Sequence, residues 1–156
     1  MDTSEEHRWS LLRWAPRHHS GVLYYPGHEG EVWVDAIAEV VPVLVATGDF
    51  APADMQYRMH REHLWNPQTG LYGEAFNVDE GTWVREAPTA SANAKVALGM
   101  AEALRIGGEG TPSEMRARWL RDTHALLKAV ETLDIEEQVR ATLERARARL
   151  SEAEQR

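Results

Sequence analysis

The chain has 156 residues, of which 43% are hydrophobic, and a formal net charge of −8 at pH 7. This length suits one hydrophobic core, so we expect a single domain over residues 1–156. The acidic balance argues against nucleic acid and anionic lipid as partners, because both carry negative charge. Without cysteine, the chain has no disulfide, thiolate metal site or thiol nucleophile, and we expect neither a cofactor nor a metal.

The first 20 residues are predicted to form an N-terminal arm. They begin with the acidic sequence MDTSEEHRW and lack the apolar core of a signal peptide. No apolar run in the chain reaches membrane-spanning length, so we expect a cytoplasmic protein with no membrane partner. Four apolar residues of the arm could form a short docking helix: Trp9, Leu11, Leu12 and Trp14. The next ten residues, GVLYYPGHEG, predict an extended or looped segment of the kind that often lines sites.

An apolar run from Val32 to Thr47 predicts a buried helix, because nearly every position in it is hydrophobic. Gly48 would end this helix. Pro42 should kink it, since proline has no amide hydrogen to donate. A strand is the competing interpretation because Val and Ile are frequent in strands, but the length of the run favours a helix.

A second helix is predicted to open at Asp49 or at Ala51-Pro52 and to end at Asn66-Pro67. Its candidate core positions recur at helical spacing: Met55, Met59, His63 and Leu64. The segment NPQTGLYGEAFN then carries two turn signals and could form a short hairpin.

Three more helices are predicted in the second half of the chain. The first, 89–104, is rich in small residues, which permit close approach to neighbouring helices. After the breaker GGEGTPS, Pro112 starts a helix, and Asp134 is predicted to cap the last one. The apolar positions of these two helices are Met115, Trp119, Leu126, Leu127 and Val130, and then Ile135, Val139, Leu143, Ala146 and Leu150. The whole pattern predicts an all-α fold of stacked helical hairpins.

Asp35 is the most informative candidate for chemistry, because it is a lone carboxylate among Trp33, Val34, Ala36 and Ile37. Desolvation at such a position would raise its pKa, as a general acid working near neutral pH requires. The alternative is that Asp35 caps its helix and interacts with the helix dipole. The residues alone leave both interpretations open.

The sequence VWVDAIAEVVPVLVATG resembles a segment of glycoside hydrolase families 88 and 105, the unsaturated glucuronyl and rhamnogalacturonyl hydrolases. In that segment an apolar helix carries a catalytic aspartate and a proline. Downstream, HLWNPQTGLYGEAF is similar to the family's loop leading to the sugar, and NAKVALGMAEAL to the helix after its next active-site loop. The resemblance implies a partial (α/α)6-toroid-like fold, with a glycoside-hydrolase-like core at 21–108 and a C-terminal helical pair at 109–156.

In this family an aspartate protonates the vinyl ether of a 4,5-unsaturated uronyl sugar. Water then adds to the adjacent carbon, and the hemiketal collapses to break the glycosidic bond. By this resemblance Asp35 is the acid/base and the ligand is a carbohydrate-like small molecule. His28, in the loop before the helix, is placed to contact it, although a turn histidine is the plainer interpretation. The aromatic candidates for stacking on the sugar are Trp33, Tyr24, Tyr25, Trp65, Tyr72 and Phe76.

The chain departs from the family pattern where the substrate should be held. Glu74 stands where the family usually places a histidine soon after TGL. The family's arginine-glycine-asparagine-glycine-tryptophan run reads SANAK and keeps only Asn93. The arginine that would hold an anionic sugar is therefore missing from this run, and Arg85 could replace it. Glu74, Arg85 and Asn93 join the predicted substrate-binding residues, while the identity of the substrate stays open.

The family's complete toroid has six helical hairpins, and this chain supplies roughly half of them. Two copies could complete the toroid as a homodimer, the domain could present a shallow groove, or catalysis could have been lost. Beside a divergent hydrolase or hydro-lyase, two alternatives therefore stand. One is a non-catalytic binding or assembly module. The other is a biosynthetic protein that binds an apolar small molecule, or assists its cyclisation, in an aromatic pocket.

Two further patterns suggest chemistry less specifically. His60 and His63 lie three residues apart, a spacing that shares one helical face and would suit a metal. Without a third ligand, this spacing is more typical of a helix surface. Ser91 has neither an elbow motif nor a base beside it, so it is not predicted to be a nucleophile.

Overall fold

The computed structural model describes residues 14–155. Helices account for 60% of it. The predicted docking helix of the arm lies outside the described residues except for Trp14, which is 77% exposed. The helices of the described part are α1 (Asp35–Ala46), α2 (Phe50–Leu64), α3 (Ala90–Gly107), α4 (Ser113–Val130) and α5 (Glu137–Glu154). Each coincides with a predicted helix to within a few residues at either end.

Short antiparallel strands accompany the helices, so the all-α prediction is incomplete. The strands are β1 (Glu31–Trp33), β2 (Trp65–Asn66), β3 (Leu71–Tyr72), β4 (Ala75–Asn77) and β5 (Thr82–Arg85). Strands β2 and β3 form the predicted hairpin, and a second sheet has the order β1-β4-β5. The assignment of 32–34 to the first helix was wrong. Trp33 pairs with Ala75, and the Val34 amide donates to the Glu74 carbonyl at 2.9 Å.

The central helix of the packing is α3, which lies against α1 on one side and α5 on the other. Helix α2 packs on α1, and α4 packs on α3. The approach of α3 to α1 is closest at Gly99, where a Cβ atom would lie 2.6 Å from the Cα of Ala38. This contact confirms that the small residues of α3 permit close helix packing.

The apolar stripes of the last two helices are confirmed as core. Their buried members are Trp119, Leu126, Leu127 and Val130 in α4, and Val139, Leu143, Ala146 and Leu150 in α5. The predicted cap at Asp134 was wrong, because α5 begins only at Glu137 and follows Glu136 in an extended conformation. Asp134 is exposed in the connection between the two helices.

The buried side of α2 differs from the predicted one. Ala53, Tyr57, His60 and Leu64 are buried, whereas Met55, Met59 and His63 are half-buried. A Cβ atom on Gly21 would lie 3.9 Å from both methionine methyl groups, so the chain before β1 passes over this face. The side chains that α2 turns to the core include Asp54 and Gln56, which hydropathy alone does not assign there.

Candidate functional site

Asp35 is the first residue of α1 and is half-buried. The residue at the N-cap is Val34, and no side-chain hydrogen bond caps the helix, so the capping part of the alternative for Asp35 was wrong. Its position in the first turn fits the other part, an interaction with the helix dipole. Within residues 14–155, no hydrogen bond or ion pair holds the Asp35 carboxylate. Val34, Ala36 and Ile37 turn to the core. Asp35 itself is not enclosed among them.

The Asp35 side chain opens on a groove of about 540 Å³ between α1 and α3. Glu39, one helical turn beyond Asp35, lines the same groove, and so do Lys95 and Glu102 from α3. The Tyr25 hydroxyl donates to Glu39 Oε1 at 3.2 Å and also lines the groove. Burial, followed by the negative charges of Glu39 and Asp35, raises the pKa of Tyr25 above its ordinary value. The groove thus combines carboxylate, amine and phenol groups.

Three of the predicted aromatic residues form a cluster beside the start of α1. The ring centroid of Trp33 lies 5.9 Å from that of Tyr25 and 5.0 Å from that of His28. The Trp33 indole donates to Glu31 Oε1 at 3.1 Å, and His28 Nδ1 lies 3.5 Å from the same oxygen. These contacts bring Tyr25, His28 and Trp33 to the end of α1 that carries Asp35.

Glu74 and Arg85 lie at the same end of the fold. The Glu74 amide donates to the Arg85 carbonyl at 3.0 Å, and the Glu74 carbonyl accepts from the Val34 amide. Arg85 Nη1 lies 3.5 Å from Glu74 Oε2, and its guanidinium lies 5.3 Å from the Trp33 ring centroid. The Thr89 hydroxyl donates to Glu74 Oε1 at 2.9 Å. The structure therefore brings Glu74 and Arg85 next to the residue that precedes Asp35.

Tyr72 and Asn93 lie elsewhere, in the interior. Asn93 is fully buried, and its side chain accepts from the Tyr72 amide at 2.8 Å and donates to the Tyr72 carbonyl at 3.0 Å. It also donates to the Thr89 carbonyl at 2.9 Å. The Tyr72 hydroxyl accepts from Arg61 Nη1 at 2.9 Å, and burial raises the pKa of Tyr72. Tyr72 thus connects β3 to α2, and Asn93 connects β3 to α3. Both side chains lie away from the Asp35 groove.

The remaining aromatic candidates also lie apart from Asp35. Trp65 lies beneath the Arg61 guanidinium, which is 3.9 Å from its ring centroid. Phe76 stacks on His63 with centroids 5.5 Å apart. The Tyr24 hydroxyl donates to Asp79 Oδ1 at 2.7 Å, and this hydrogen bond, more than burial, raises the pKa of Tyr24 to about 12.

A second cavity of about 590 Å³ lies on the other side of Tyr25. Its lining includes the apolar side chains of Leu23, Val40 and Trp14, together with the rings of Tyr24 and Tyr25. Glu39 lines both cavities. This second cavity therefore combines aromatic and aliphatic side chains.

The histidines of α2 differ from the predicted surface pair. His60 is 1% exposed, and its Nδ1 is 2.8 Å from the Gln56 carbonyl, so the prediction of a surface position was wrong for this residue. Burial lowers the pKa of His60 to about 4. Between residues 14 and 155, no group of three histidine or acidic residues is arranged to hold a metal ion. Across the same span, no helix has both the length and the apolar character needed to cross a bilayer.

Sequence reasoning missed the other charged groups of the groove. Glu39 follows Asp35 by four residues, a spacing that places both carboxylates on one helical face, and this signal was available in the printed sequence. Lys95 was visible as the last residue of SANAK, but only the packing of α3 against α1 assigns it to the groove.

Solved structures resemble this chain in fold, although no protein-family profile and no curated protein matches its sequence. A possible member of glycoside hydrolase family 105 from Klebsiella pneumoniae subsp. pneumoniae MGH 78578 has a TM-score of 0.66 at 18% identity, covering 81% of this chain and 36% of its own. A possible member from Salmonella enterica subsp. enterica serovar Paratyphi A str. ATCC 9150 has a TM-score of 0.66 at 15% identity, covering 95% and 52%. An endo-β-1,4-glucanase from Acetobacter xylinum has a TM-score of 0.61 at 16% identity, covering 78% and 36%.

The chain has a glycoside-hydrolase-like fold. The structures that it resembles are α/α-toroid glycoside hydrolases, and the chain spans about a third to a half of their length. At these identities the likeness concerns the fold alone. The roles of Asp35 and of the residues around it therefore have to be argued from the geometry of the groove.

Proposed function

We propose that this chain is a divergent glycoside-hydrolase-like protein, built as a partial toroid, that acts on a sugar or sugar-like ring by proton transfer from Asp35. One observation carries the proposal. A half-buried carboxylate without a partner in the described part of the chain opens on a groove of about 540 Å³, beside a cluster of aromatic rings. Pockets that bind sugars combine such rings with few, well-placed polar groups.

The resemblance to families 88 and 105 supplies the chemistry of the proposed step. The Asp35 carboxylic acid gives its proton to the vinyl ether carbon of an unsaturated ring. Water then adds to the adjacent carbon, and the proton that it loses returns to the Asp35 carboxylate. The resulting hemiketal opens and releases the second sugar as an alcohol. Asp35 ends the cycle protonated, so the sum of the reaction is the uptake of one water.

The test uses disaccharides that carry a 4,5-unsaturated ring, both uronyl members and members without the carboxylate. Release of the second sugar is followed by mass spectrometry, and the uronyl members also lose their ultraviolet absorbance. Asp35→Asn should slow the release by about 10²-fold or more, since it removes the transferable proton. Asp134→Asn makes the same chemical change at an exposed aspartate and should leave the rate unchanged. Equal rates for wild type and Asp35→Asn would remove the proposal.

A non-catalytic binding module is the second candidate, and the open groove favours it. The chain spans about a third to a half of the length of the enzymes that it resembles, and the groove between α1 and α3 is open rather than enclosed. This candidate predicts that Asp35→Asn leaves ligand binding intact, and that no unsaturated disaccharide is consumed by the wild type.

The second cavity supports a third candidate, the binding of an uncharged, largely apolar small molecule. Its lining by Leu23, Val40 and the Tyr24 and Tyr25 rings suits such a ligand. Native mass spectrometry with a metabolite mixture would detect it. Trp14→Ala should weaken that binding because it removes an exposed apolar ring from the cavity wall, whereas the sugar proposal requires no such loss.

A further inference from the structure

The Glu74 carboxylate is held by two groups, the N-cap of α3 and the last residue of β5. The Thr89 hydroxyl donates to one oxygen at 2.9 Å, and Arg85 Nη1 lies 3.5 Å from the other. Thr89 is the N-cap of α3, where its hydroxyl oxygen also accepts from the Ala92 amide. The Glu74 backbone carbonyl accepts from Val34, the N-cap of α1. One carboxylate thus lies where two helices begin, close to the positive end of the α3 dipole.

This set of partners is what a bound carboxylate needs. A guanidinium, a hydroxyl donor and the beginning of a helix are general features of sites that hold carboxylates and phosphates. The Arg85 guanidinium also covers the Trp33 ring at 5.3 Å, so the same cation faces the aromatic cluster proposed to stack on the sugar. In this chain, Glu74 already fills that position from within the protein.

We propose that Glu74 is a specificity-determining residue, whose carboxylate takes the place of a carboxylate on the ligand, so that the groove selects rings that carry no acidic group. This inference rests on the proposed function, because it names the class of ring that the same site accepts. Arg85 neutralised by Glu74 has little attraction left for a uronate. A uronate would also have to displace Glu74 or lie beside it, and two carboxylates in contact repel each other.

The other charges around the groove agree with this selection. Near the groove, Arg105 and Arg149 are both paired with Glu102. Lys95 lines the groove opposite two carboxylates, those of Asp35 and Glu39. Among the groove residues without an ion-pair partner in the described part of the chain, negative side chains therefore outnumber positive ones. The resulting negative potential disfavours an anionic ring.

The experiment is a gain of binding. Methyl glucoside and methyl glucuronide share one ring and differ at the carboxylate, so each is titrated into the full chain and followed by nuclear magnetic resonance. The wild type should bind the glucoside more tightly. Glu74→Gln keeps the length and the Thr89 hydrogen bond but frees Arg85, and should shift the ratio of affinities toward the glucuronide by roughly two- to fivefold, the scale of one exposed charge pair.

Two matched variants separate this effect from a change in net charge. Glu80→Gln removes the same charge from an exposed position in the turn before β5 and should leave the ratio unchanged. The double variant Glu74→Gln/Arg85→Gln should lose the gain, because the released cation is gone. Arg85→Gln alone leaves the Glu74 carboxylate without its cation and should shift the ratio further toward the glucoside, and this variant tests the idea even if Glu74→Gln folds poorly.

The outcomes distinguish this inference from the function on which it rests. A wild type that prefers the glucuronide overturns the inference, and so does a Glu74→Gln variant with an unchanged ratio. In both cases Asp35-dependent turnover of a sugar would leave the proposed function standing. Failure of the wild type and of every variant to bind either ring overturns the inference, while turnover of the unsaturated disaccharides decides the proposed function separately.

Discussion

The contact between α1 and α3 makes Gly99 the position where a single methyl group should disturb the site most. A Cβ atom there would lie 2.6 Å from the Ala38 Cα and 2.9 Å from the Ala38 Cβ. These atoms belong to the backbone of α1 or are fixed to it, so no side-chain rotation relieves the contact. Gly99→Ala must therefore push the two helices apart.

The expected loss of stability follows from two opposing effects. Overpacking a well-packed interface costs about 1–3 kcal/mol, and alanine regains up to about 1 kcal/mol of helix propensity over glycine. The contact is with the backbone, so we expect a net loss of about 2 kcal/mol in the free energy of unfolding. For a chain of this size that corresponds to a melting temperature lower by about 4–8 °C.

Thermal and urea unfolding followed by circular dichroism would measure this loss. Gly110→Ala is the matched control, because a Cβ atom there would meet only the Phe50 ring, at 3.8 Å, and should change stability by no more than about 0.5 kcal/mol. Gly99 also lines the Asp35 groove, so the same variant should weaken ligand binding. A Gly99→Ala protein as stable as the wild type would refute the close approach of α1 and α3.

Three other outcomes are expected. Asn93→Ala leaves the buried Tyr72 amide and carbonyl without their partner and should cost about 2–4 kcal/mol of unfolding free energy. Ser91→Ala on the exposed side of the same helix should be nearly neutral. Equal effects of the two variants would contradict the structural role of Asn93. In the folded protein His60 stays neutral until the pH falls to about 4, whereas in the unfolded chain it takes a proton below about pH 6.5. The free energy of unfolding should therefore decrease by roughly 3 kcal/mol as the pH is lowered from about 6.5 to about 4. The His60→Met variant should show a flatter pH dependence there, and an unchanged slope would argue against burial of the ring. Light scattering should report a dimer if two copies complete the toroid, and a monomer would exclude that arrangement.

The helices were predictable because hydrophobic periodicity and breakers determine them locally. The stripe from Val139 to Leu150 needs only one buried face, and α3 supplies the surface that covers it. The start of α1 was not predictable in this way. Val32 and Trp33 continue the apolar run of the helix, and only their pairing with Phe76 and Ala75 makes them a strand. Pairing across more than 40 residues leaves no local signal in the sequence.

The candidate site was predicted unevenly for a similar reason. Asp35, Trp33 and Arg85 could be named from sequence and resemblance, and the sheet brings them to one end of the fold. Tyr72 and Asn93 were chosen by the same reasoning, yet they bond to each other in the interior. An asparagine that binds a ligand and one that satisfies buried backbone groups have the same appearance in a sequence. The two differ only in the partner that the packing of the fold places beside the side chain.

Glu74 is the candidate residue whose surroundings the structure clarifies most. From the sequence, it was a departure from the family's histidine that left the identity of the substrate open. The structure gives it the partners Arg85 and Thr89, so the departure changes the charge beside Arg85. A substitution of this kind can be interpreted only after the neighbours of the side chain are known.

The most direct test of the central claim is to run the reaction in heavy water with an unsaturated disaccharide that the protein consumes. If Asp35 protonates the vinyl ether, its exchanged carboxyl group delivers deuterium to that ring carbon. The product should then carry one deuterium there, and Asp35→Asn should form little of it. Product formed without deuterium on that carbon, or formed as fast by Asp35→Asn as by the wild type, would contradict the account.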